Sequence, residues 1–183
     1  MDILLPKLVD IFKADITLQS KGTLYIDYRD ITQFIFDNNI YHIQNIKQLP
    51  CIIFDGVSSN IEKSLINANG INNIHDIIKR NLNIQCVILT SSINEDSNIS
   101  FIGDTNIWGI YELSNAVRQV FWNNKKIEDA TRKTQGLDFI ITSGQNIEYN
   151  EVRKTYFVDN NFIHGLDIKL SYFRYENYDY LIQ

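Results

Sequence analysis

The residues from 163 to 172 alternate between apolar and polar side chains, and this alternation constrains the fold more than any other feature of the sequence. Successive side chains of a β-strand point to opposite faces of the sheet. The segment is therefore predicted to be a strand with one apolar face and one polar face. The apolar face comprises Leu166, Ile168, Leu170 and Tyr172, and the polar face comprises Asp167, Lys169 and Ser171.

An amphipathic helix is predicted over residues 107–122, because apolar side chains recur there at helical spacing. Its inner stripe comprises Ile110, Leu113, Val117, Val120 and Phe121. Glu112, Asn115 and Arg118 fall on the outer side, and Asn123 with Asn124 ends the helix. A second helix starts near Leu4 and ends before Lys21, and residues 23–28 follow as a short strand.

Two strongly apolar segments, residues 49–58 and 82–91, are predicted as buried strands that pair with each other. Residues 137–143, 152–158 and 163–173 complete the strands, with a tight turn at Asn160 and Asn161. Residues 60–73 and 91–106 are predicted as loops, while residues 30–38 fit either a helical turn or a strand. The prediction is one α+β domain over residues 1–183, with a mainly antiparallel twisted sheet packed against an N-terminal and a central helix.

Composition excludes several classes of protein. The net charge is −5 and the pI is about 5.1, whereas a general nucleic-acid binder carries a basic face. The basic cluster of Lys125, Lys126, Arg132 and Lys133 is interpreted as a solvated loop. No apolar run is long enough to cross a bilayer, and no signal peptide is recognised. Cys51 and Cys86 lie in apolar runs and are predicted to be buried thiols in a reducing cytoplasm.

The search for reactive residues predicts no catalytic residue, no cofactor and no metal. A phosphate-binding loop at Lys63 and Ser64 is rejected, because Val57 and Glu62 stand where that loop needs glycines. The carboxylates Asp138, Glu148 and Glu151 have the wrong spacing to Lys154 for a metal-dependent nuclease. His42, His75 and His164 each lack a second ligand at helical or strand spacing.

The tryptophans at the ends of the central helix have two interpretations. Trp108 and Trp122 either pack under the sheet or anchor a partner, since interfaces are enriched in tryptophan and tyrosine. The core is favoured for Trp108, and the two interpretations are balanced for Trp122. The tail, residues 174–183, contains Tyr175, Tyr178 and Tyr180 and is predicted to dock on the chain itself or on a neighbour.

The order of elements resembles that of bacteriophage tail-terminator and tail-completion proteins. An N-terminal helix leads to a short strand, to a strand led by Leu49 and Pro50, and to a further apolar strand. One amphipathic helix over residues 110–121 and a final hairpin ending in Leu166 to Phe173 complete the order. The resemblance extends over most of the chain through this pattern, without an invariant motif.

The resemblance implies a virion protein without catalysis. Its copies would form a ring, usually of six, that ends the tail tube and joins it to the head connector, and DNA would pass through the ring without specific binding. Such a ring needs two different contact surfaces on each subunit. The tyrosine-rich tail and the loop of residues 123–135 are the candidates. Their predicted interface residues are Trp122, Lys125, Lys126, Arg132, Arg174, Tyr175, Tyr178 and Tyr180.

Two other classes of protein remain open at this stage. A small acidic binding protein, such as an immunity protein that neutralises a toxin, would also lack catalytic motifs and would present an acidic patch to a basic partner. A nuclease-like enzyme would need clustered carboxylates and a metal ion. Oligomeric state separates the ring from the acidic binding protein, and a cleavage assay tests the enzyme.

Overall fold

The computed structural model describes residues 4–28, 36–37, 40–41, 49–63, 77–92, 102–128, 141–158 and 161–177. The described helices are α1 (Leu4–Ala14) and α2 (Ile110–Asn123). The strands are β1 (Tyr25–Tyr28), β2 (Phe36–Asp37), β3 (Ile40–Tyr41), β4 (Cys51–Lys63), β5 (Ile77–Ser92), β6 (Lys126–Glu128), β7 (Ile141–Val158) and β8 (Asn161–Asn177). Neither described helix is long and apolar enough to cross a membrane.

Six of these strands form one sheet in the order β1-β4-β5-β8-β7-β6, and β2 pairs with β3 in a separate two-stranded sheet. Strand β1 runs parallel to β4, and every other pairing in the large sheet is antiparallel. The predicted α+β class, with a mainly antiparallel sheet and two packed helices, is confirmed. The predicted pairing of the two apolar strands is also confirmed, since β4 and β5 are neighbours.

Both helices pack on the same face of the large sheet and close the main core. The predicted alternation in β8 is confirmed, because the side chains of Leu166, Ile168, Leu170 and Tyr172 are buried in this core. Their register partners in β5 are Ile88, Cys86, Ile84 and Leu82, which belong to the same core. Asp167, Lys169 and Ser171 lie on the opposite face and are partly or fully exposed.

Helix α1 is held by apolar residues that recur every turn. Leu4, Leu8 and Phe12 are buried, and the Phe12 ring meets the Phe54 ring of β4 edge-on with centroids 4.9 Å apart. The chain leaves the helix at Asp15, whose carboxylate accepts hydrogen bonds from the backbone N–H groups of Thr17 and Leu18. An aspartate that satisfies nearby backbone donors in this way favours a turn over further helix.

Helix α2 begins later than the sequence predicts. Gly109 is its N-cap in an extended conformation, so the helix starts at Ile110 and not at residue 107. The predicted inner stripe is buried throughout, and the helix ends at Asn123 as expected. Asn124 donates its side-chain amide to the carbonyl of Val120 at 2.9 Å, which satisfies one of the last carbonyls of the helix.

Several strands are longer than predicted. Strand β4 extends to Lys63 and includes residues 60–63, which the sequence assigns to a loop. The two segments predicted at 137–143 and 152–158 meet in one strand, β7, over its described residues. Polar residues between these segments interrupt the alternation that would indicate a strand. The backbone nevertheless pairs with β8, with bulges at Gly144/Asn146 and Asn150/Lys154. The bounds of β4 and β7 are therefore determined by backbone pairing, which the alternation of apolar and polar side chains does not indicate.

Two local predictions are corrected by the strand register. Lys126 was assigned to a solvated loop, but it opens β6 and lies opposite Ser143 of β7. Asn161 was assigned to a tight turn, but it begins β8 and pairs with Val158, while Asn160 lies outside the described residues. Most of the predicted loop at 91–106 lies outside the described residues, as do residues 64–73, 137–140 and the tail beyond Asn177.

Candidate interaction surface

Three of the predicted interface residues lie together where α2 ends. Trp122 is in the last turn of the helix, Lys125 follows it, and Lys126 begins β6. All three side chains are exposed, and 46% of the Trp122 surface is accessible to solvent. Trp108, at the other end of the helix, is buried in the core, so the two tryptophans take opposite positions.

The position of Trp122 follows from the geometry of the helix. Each residue turns about 100° around the helix axis, so the residue next to a buried one at the margin of the stripe points outward. Phe121 is buried, and its ring packs edge-on against Tyr172 with centroids 5.2 Å apart. Trp122 is the next residue, and its ring lies outside the buried stripe of the helix. Its centroid is 5.4 Å from that of the Phe121 ring.

The exposed ring of Trp122 is in contact with the side chain of Lys125. The ammonium of Lys125 lies 3.8 Å from the centroid of the Trp122 ring, well within the range of a cation–π contact. Such a contact stabilises an exposed pair by about 0.5–1 kcal/mol. The Trp122 ring is therefore held on two sides, by Phe121 and by Lys125. A side chain that is already ordered loses less entropy when a partner covers it.

The same side of α2 carries a second exposed aromatic residue. Tyr111 precedes Trp122 by eleven residues, which is three helical turns, and 48% of its surface is accessible. Asn115 and Arg118 lie between them at helical spacing and are exposed and half-buried, respectively. We call this set the outer stripe, comprising Tyr111, Asn115, Arg118, Trp122, Lys125 and Lys126. The outer stripe contains three basic residues and no acidic residue, on a chain with net charge −5.

The sheet brings a fourth predicted residue towards the outer stripe. Lys126 of β6 lies opposite Ser143 of β7, and Ser143 lies opposite Phe173 of β8. The backbone of Arg174 therefore lies about two strand spacings from Lys126, or roughly 10 Å. Tyr175 follows Arg174 in β8. Arg132, Tyr178 and Tyr180 lie outside the described residues.

The start of α2 is fixed by a contact that the sequence does not reveal. Lys21 donates hydrogen bonds to the Glu112 carboxylate and to the Asp104 carbonyl, and its ammonium lies 5.2 Å from the centroid of the Trp108 ring. Lys21 and Glu112 are 91 residues apart, so no local pattern could indicate the pair. Tyr111 was also missed, because its aromatic ring fits a core residue as well as a surface residue.

A short turn supports this contact. The Asp104 carboxylate accepts hydrogen bonds from the backbone N–H groups of Asn106 and Ile107, at 2.7 and 2.8 Å. These bonds, with a smaller contribution from Lys21, lower the pKa of Asp104 below its usual value. The turn is closed by a bridge between Gly103 and Trp108. The first turn of α2 is thereby tied to the segment that precedes β1.

Among the residues that the structure describes, three side chains of chemically reactive types lie inside the fold. Cys51, Cys86 and His164 are all buried, which confirms the prediction of two buried free thiols. Burial raises the pKa of the Cys86 thiol, and the charge of Asp167 and the neighbouring Cys51 raise it further. Within the part of the chain that the structure describes, no three histidine, cysteine, aspartate or glutamate residues are grouped as metal ligands.

No protein-family model and no curated protein matches this chain.

Proposed function

We propose that this protein is a structural component of a phage virion, of the tail-terminator or tail-completion type. Its copies assemble in the host cytoplasm into a ring that ends the tail tube and offers the head connector a docking surface. The partners are further copies of the chain, the tube protein below and the connector protein above. DNA passes through the ring without specific binding.

The outer stripe is the observation that carries this proposal. A half-exposed tryptophan held beneath a lysine is an ordered apolar anchor with a cationic edge, which is the type of residue that dominates protein–protein contacts. The chain as a whole is acidic, so a neighbouring copy offers negative charge to this basic surface. An exposed basic stripe on a chain of net negative charge suits a heterologous contact, in which the stripe meets a different surface of the next copy.

The order of elements gives further support. The N-terminal helix, the short strand, the strand after Pro50, the next apolar strand, the amphipathic helix and the final hairpin are α1, β1, β4, β5, α2 and the β7–β8 pair. This is the order on which the resemblance to tail terminators depends. A sheet backed by two helices on one face also provides the rigid body that a ring subunit needs.

The proposal is tested by the mass of the protein in solution over a wide concentration range, measured by light scattering after size exclusion. We expect a closed oligomer, or a mass that rises with concentration towards one. The variant Trp122→Ser should weaken association by tenfold or more, which corresponds to about 1.4 kcal/mol or more. Ile16→Ser is the matched control, because Ile16 is 83% exposed and lies outside the outer stripe.

A monomer of 21.4 kDa at every concentration would contradict the ring. The acidic charge would then favour a small binding protein of the immunity type, with a basic partner. An equal fall in mass in Trp122→Ser and Ile16→Ser would show that the outer stripe is not part of the contact between copies.

A further inference from the structure

Over the residues that the structure describes, two long strands of the large sheet each have an open edge, on opposite sides of the sheet. Strand β4 pairs with β1 only at residues 51–54, and strand β7 pairs with β6 only at residues 141–143. Among the residues that the structure describes, no strand covers β4 at 55–63 or β7 at 144–158 on these sides. Neither open segment contains proline, so no residue in either segment lacks a backbone N–H donor.

We infer that these two edges join neighbouring copies of the chain, so that β7 of one subunit pairs with β4 of the next. The inference rests on the proposed ring and names the contact that builds it. Strands β4, β5, β8 and β7 alternate in direction, so β4 and β7 are antiparallel to each other. When every copy has the same orientation around an axis, β7 therefore meets the neighbouring β4 in antiparallel pairing.

Bulges select which residues pair. In β4 a regular segment begins at Ser58, directly after the irregularity at Gly56/Ser58. In β7 the regular segment from Asn146 to Asn150 lies between two irregularities. Five residues of each strand can therefore form an uninterrupted ladder, which is a usual length for a strand. Bulges often protect an exposed edge, and here they leave one regular stretch in β4 and two in β7. Of the two in β7, residues 146–150 need the smaller displacement between copies.

The strand register requires a displacement between copies. Ser58 of β4 and Asn146 of β7 both align with Asn83 of β5, Asn146 by way of Ser171. Without a shift along the strands, the open edges overlap over only four rows, and the bulge of each strand interrupts them. A shift of about four residues, or roughly 13 Å, places residues 58–62 against residues 146–150. An even shift also keeps the helix-bearing face continuous across the junction.

This register gives compatible neighbours. It places Ile61 opposite Ile147, Asn60 opposite Glu148, and Glu62 opposite Asn146. Each glutamate is then paired in register with an asparagine, and isoleucine with isoleucine, which are compatible residue types for opposite strand positions. Moving the register by two residues in one direction would set Glu62 against Glu148, where like charges repel. Moving it by two in the other direction would bring the bulge at Gly144/Asn146 into the ladder.

Disulfide trapping tests the pairing. The double variant Ile61→Cys with Ile147→Cys is oxidised at a concentration at which light scattering reports the oligomer. Directly opposite residues of an antiparallel pair have Cβ atoms about 4.5–5.5 Å apart, close enough to bridge with a small movement. Within one chain β4 and β7 are separated by three strand spacings, roughly 14 Å, so a bridge can form only between copies.

We expect a ladder of covalent dimers, trimers and larger species up to the size of the ring on a non-reducing gel. Each single-cysteine variant can give dimers at most. Ser59→Cys with Tyr149→Cys is a second pair in the same register, which guards against misfolding of the first. Asn60→Cys with Ile147→Cys is the matched control, since these positions have opposite facing. Native Cys51 and Cys86 stay in place because both are buried.

The outcomes separate the two proposals. A ladder from both matched pairs but not from the control supports the strand pairing. An oligomer without a ladder from either pair overturns the strand pairing and leaves the ring intact. A ladder from the control as well contradicts the stated register. A monomer that gives no ladder at any concentration overturns both the pairing and the ring.

Discussion

At the scale of single residues, Gly103 determines the geometry ahead of α2. Its φ is +84°, a conformation that side chains other than glycine rarely adopt. A Cβ atom at this position would also lie 2.7 Å from both the Gly109 nitrogen and the Ile107 oxygen, and would collide with the Glu112 carboxylate. The turn that Lys21 and Asp104 support therefore requires glycine for two independent reasons.

We predict that Gly103→Ala lowers the free energy of unfolding by about 1–3 kcal/mol or more, through backbone strain and the collisions of the added methyl group. Urea denaturation followed by tryptophan fluorescence measures the change. Gly22→Ala is the control: its φ is +49°, but the nearest contact of an added Cβ would be an ordinary 3.4 Å. An equal loss in both variants would show that the crowding at Gly103 has no effect.

The buried ionisable groups Cys86 and Tyr172 predict a pH dependence. Burial raises the pKa of each group, so the folded state retains its protons when the unfolded chain has begun to lose them. The stability that they contribute is present below the unfolded thiol pKa of about 8.5 and decreases as the pH rises above it. We predict a falling free energy of unfolding between pH 8 and pH 10, measured by urea titration. The decrease should be smaller in Cys86→Ala, and an unchanged decrease would exclude Cys86 as its source.

At the scale of elements, the boundary between core and surface in the last turn of α2 falls between two adjacent aromatic residues. Phe121 is buried against Tyr172, whereas nearly half of Trp122 is exposed. The helix contacts the sheet through the first residue and presents the second to solvent. The boundary between packing and recognition therefore lies between neighbouring positions in the chain.

We predict that Phe121→Ala lowers the free energy of unfolding by about 3–5 kcal/mol, because it leaves a cavity between α2 and β8. Trp122→Ala should cost well under half of that, since the exposed ring loses only its contacts with Phe121 and Lys125. Chemical denaturation of the two variants under conditions where the protein is monomeric gives the comparison. Similar losses would mean that Trp122 is a structural residue.

The elements were predictable where one face is buried and ambiguous where it is not. The stripe of α2 and the alternation of β8 follow from periodicity alone, because burial imposes that periodicity. Polar residues such as Asn146 and Asn150 gave no such pattern in the middle of β7, yet the backbone pairs there with β8. Lys126 was misassigned for a related reason, since a charged residue in an edge strand resembles one in a loop.

At the scale of the whole molecule, charge distribution predicts how copies associate. The outer stripe carries Arg118, Lys125 and Lys126, while the chain has net charge −5. If the stripe meets acidic surface on the neighbouring copy, salt screens the attraction. We predict that the dissociation constant of the oligomer rises between 50 mM and 500 mM NaCl, measured by sedimentation, and that Lys125→Gln with Lys126→Gln reduces this dependence. Association that strengthens with salt would indicate an apolar contact instead.

The α+β class, the two helices, the apolar strands and the two buried thiols could be predicted from the sequence alone. These follow from local periodicity and hydrophobicity, which a linear pattern contains. The tertiary structure was needed for the parallel placement of β1, the extent of β4 and β7, the Lys21–Glu112 contact and the two edges left open among the described strands. Each depends on residues far apart in the chain, whose pairing is determined by folding and not by neighbouring side chains.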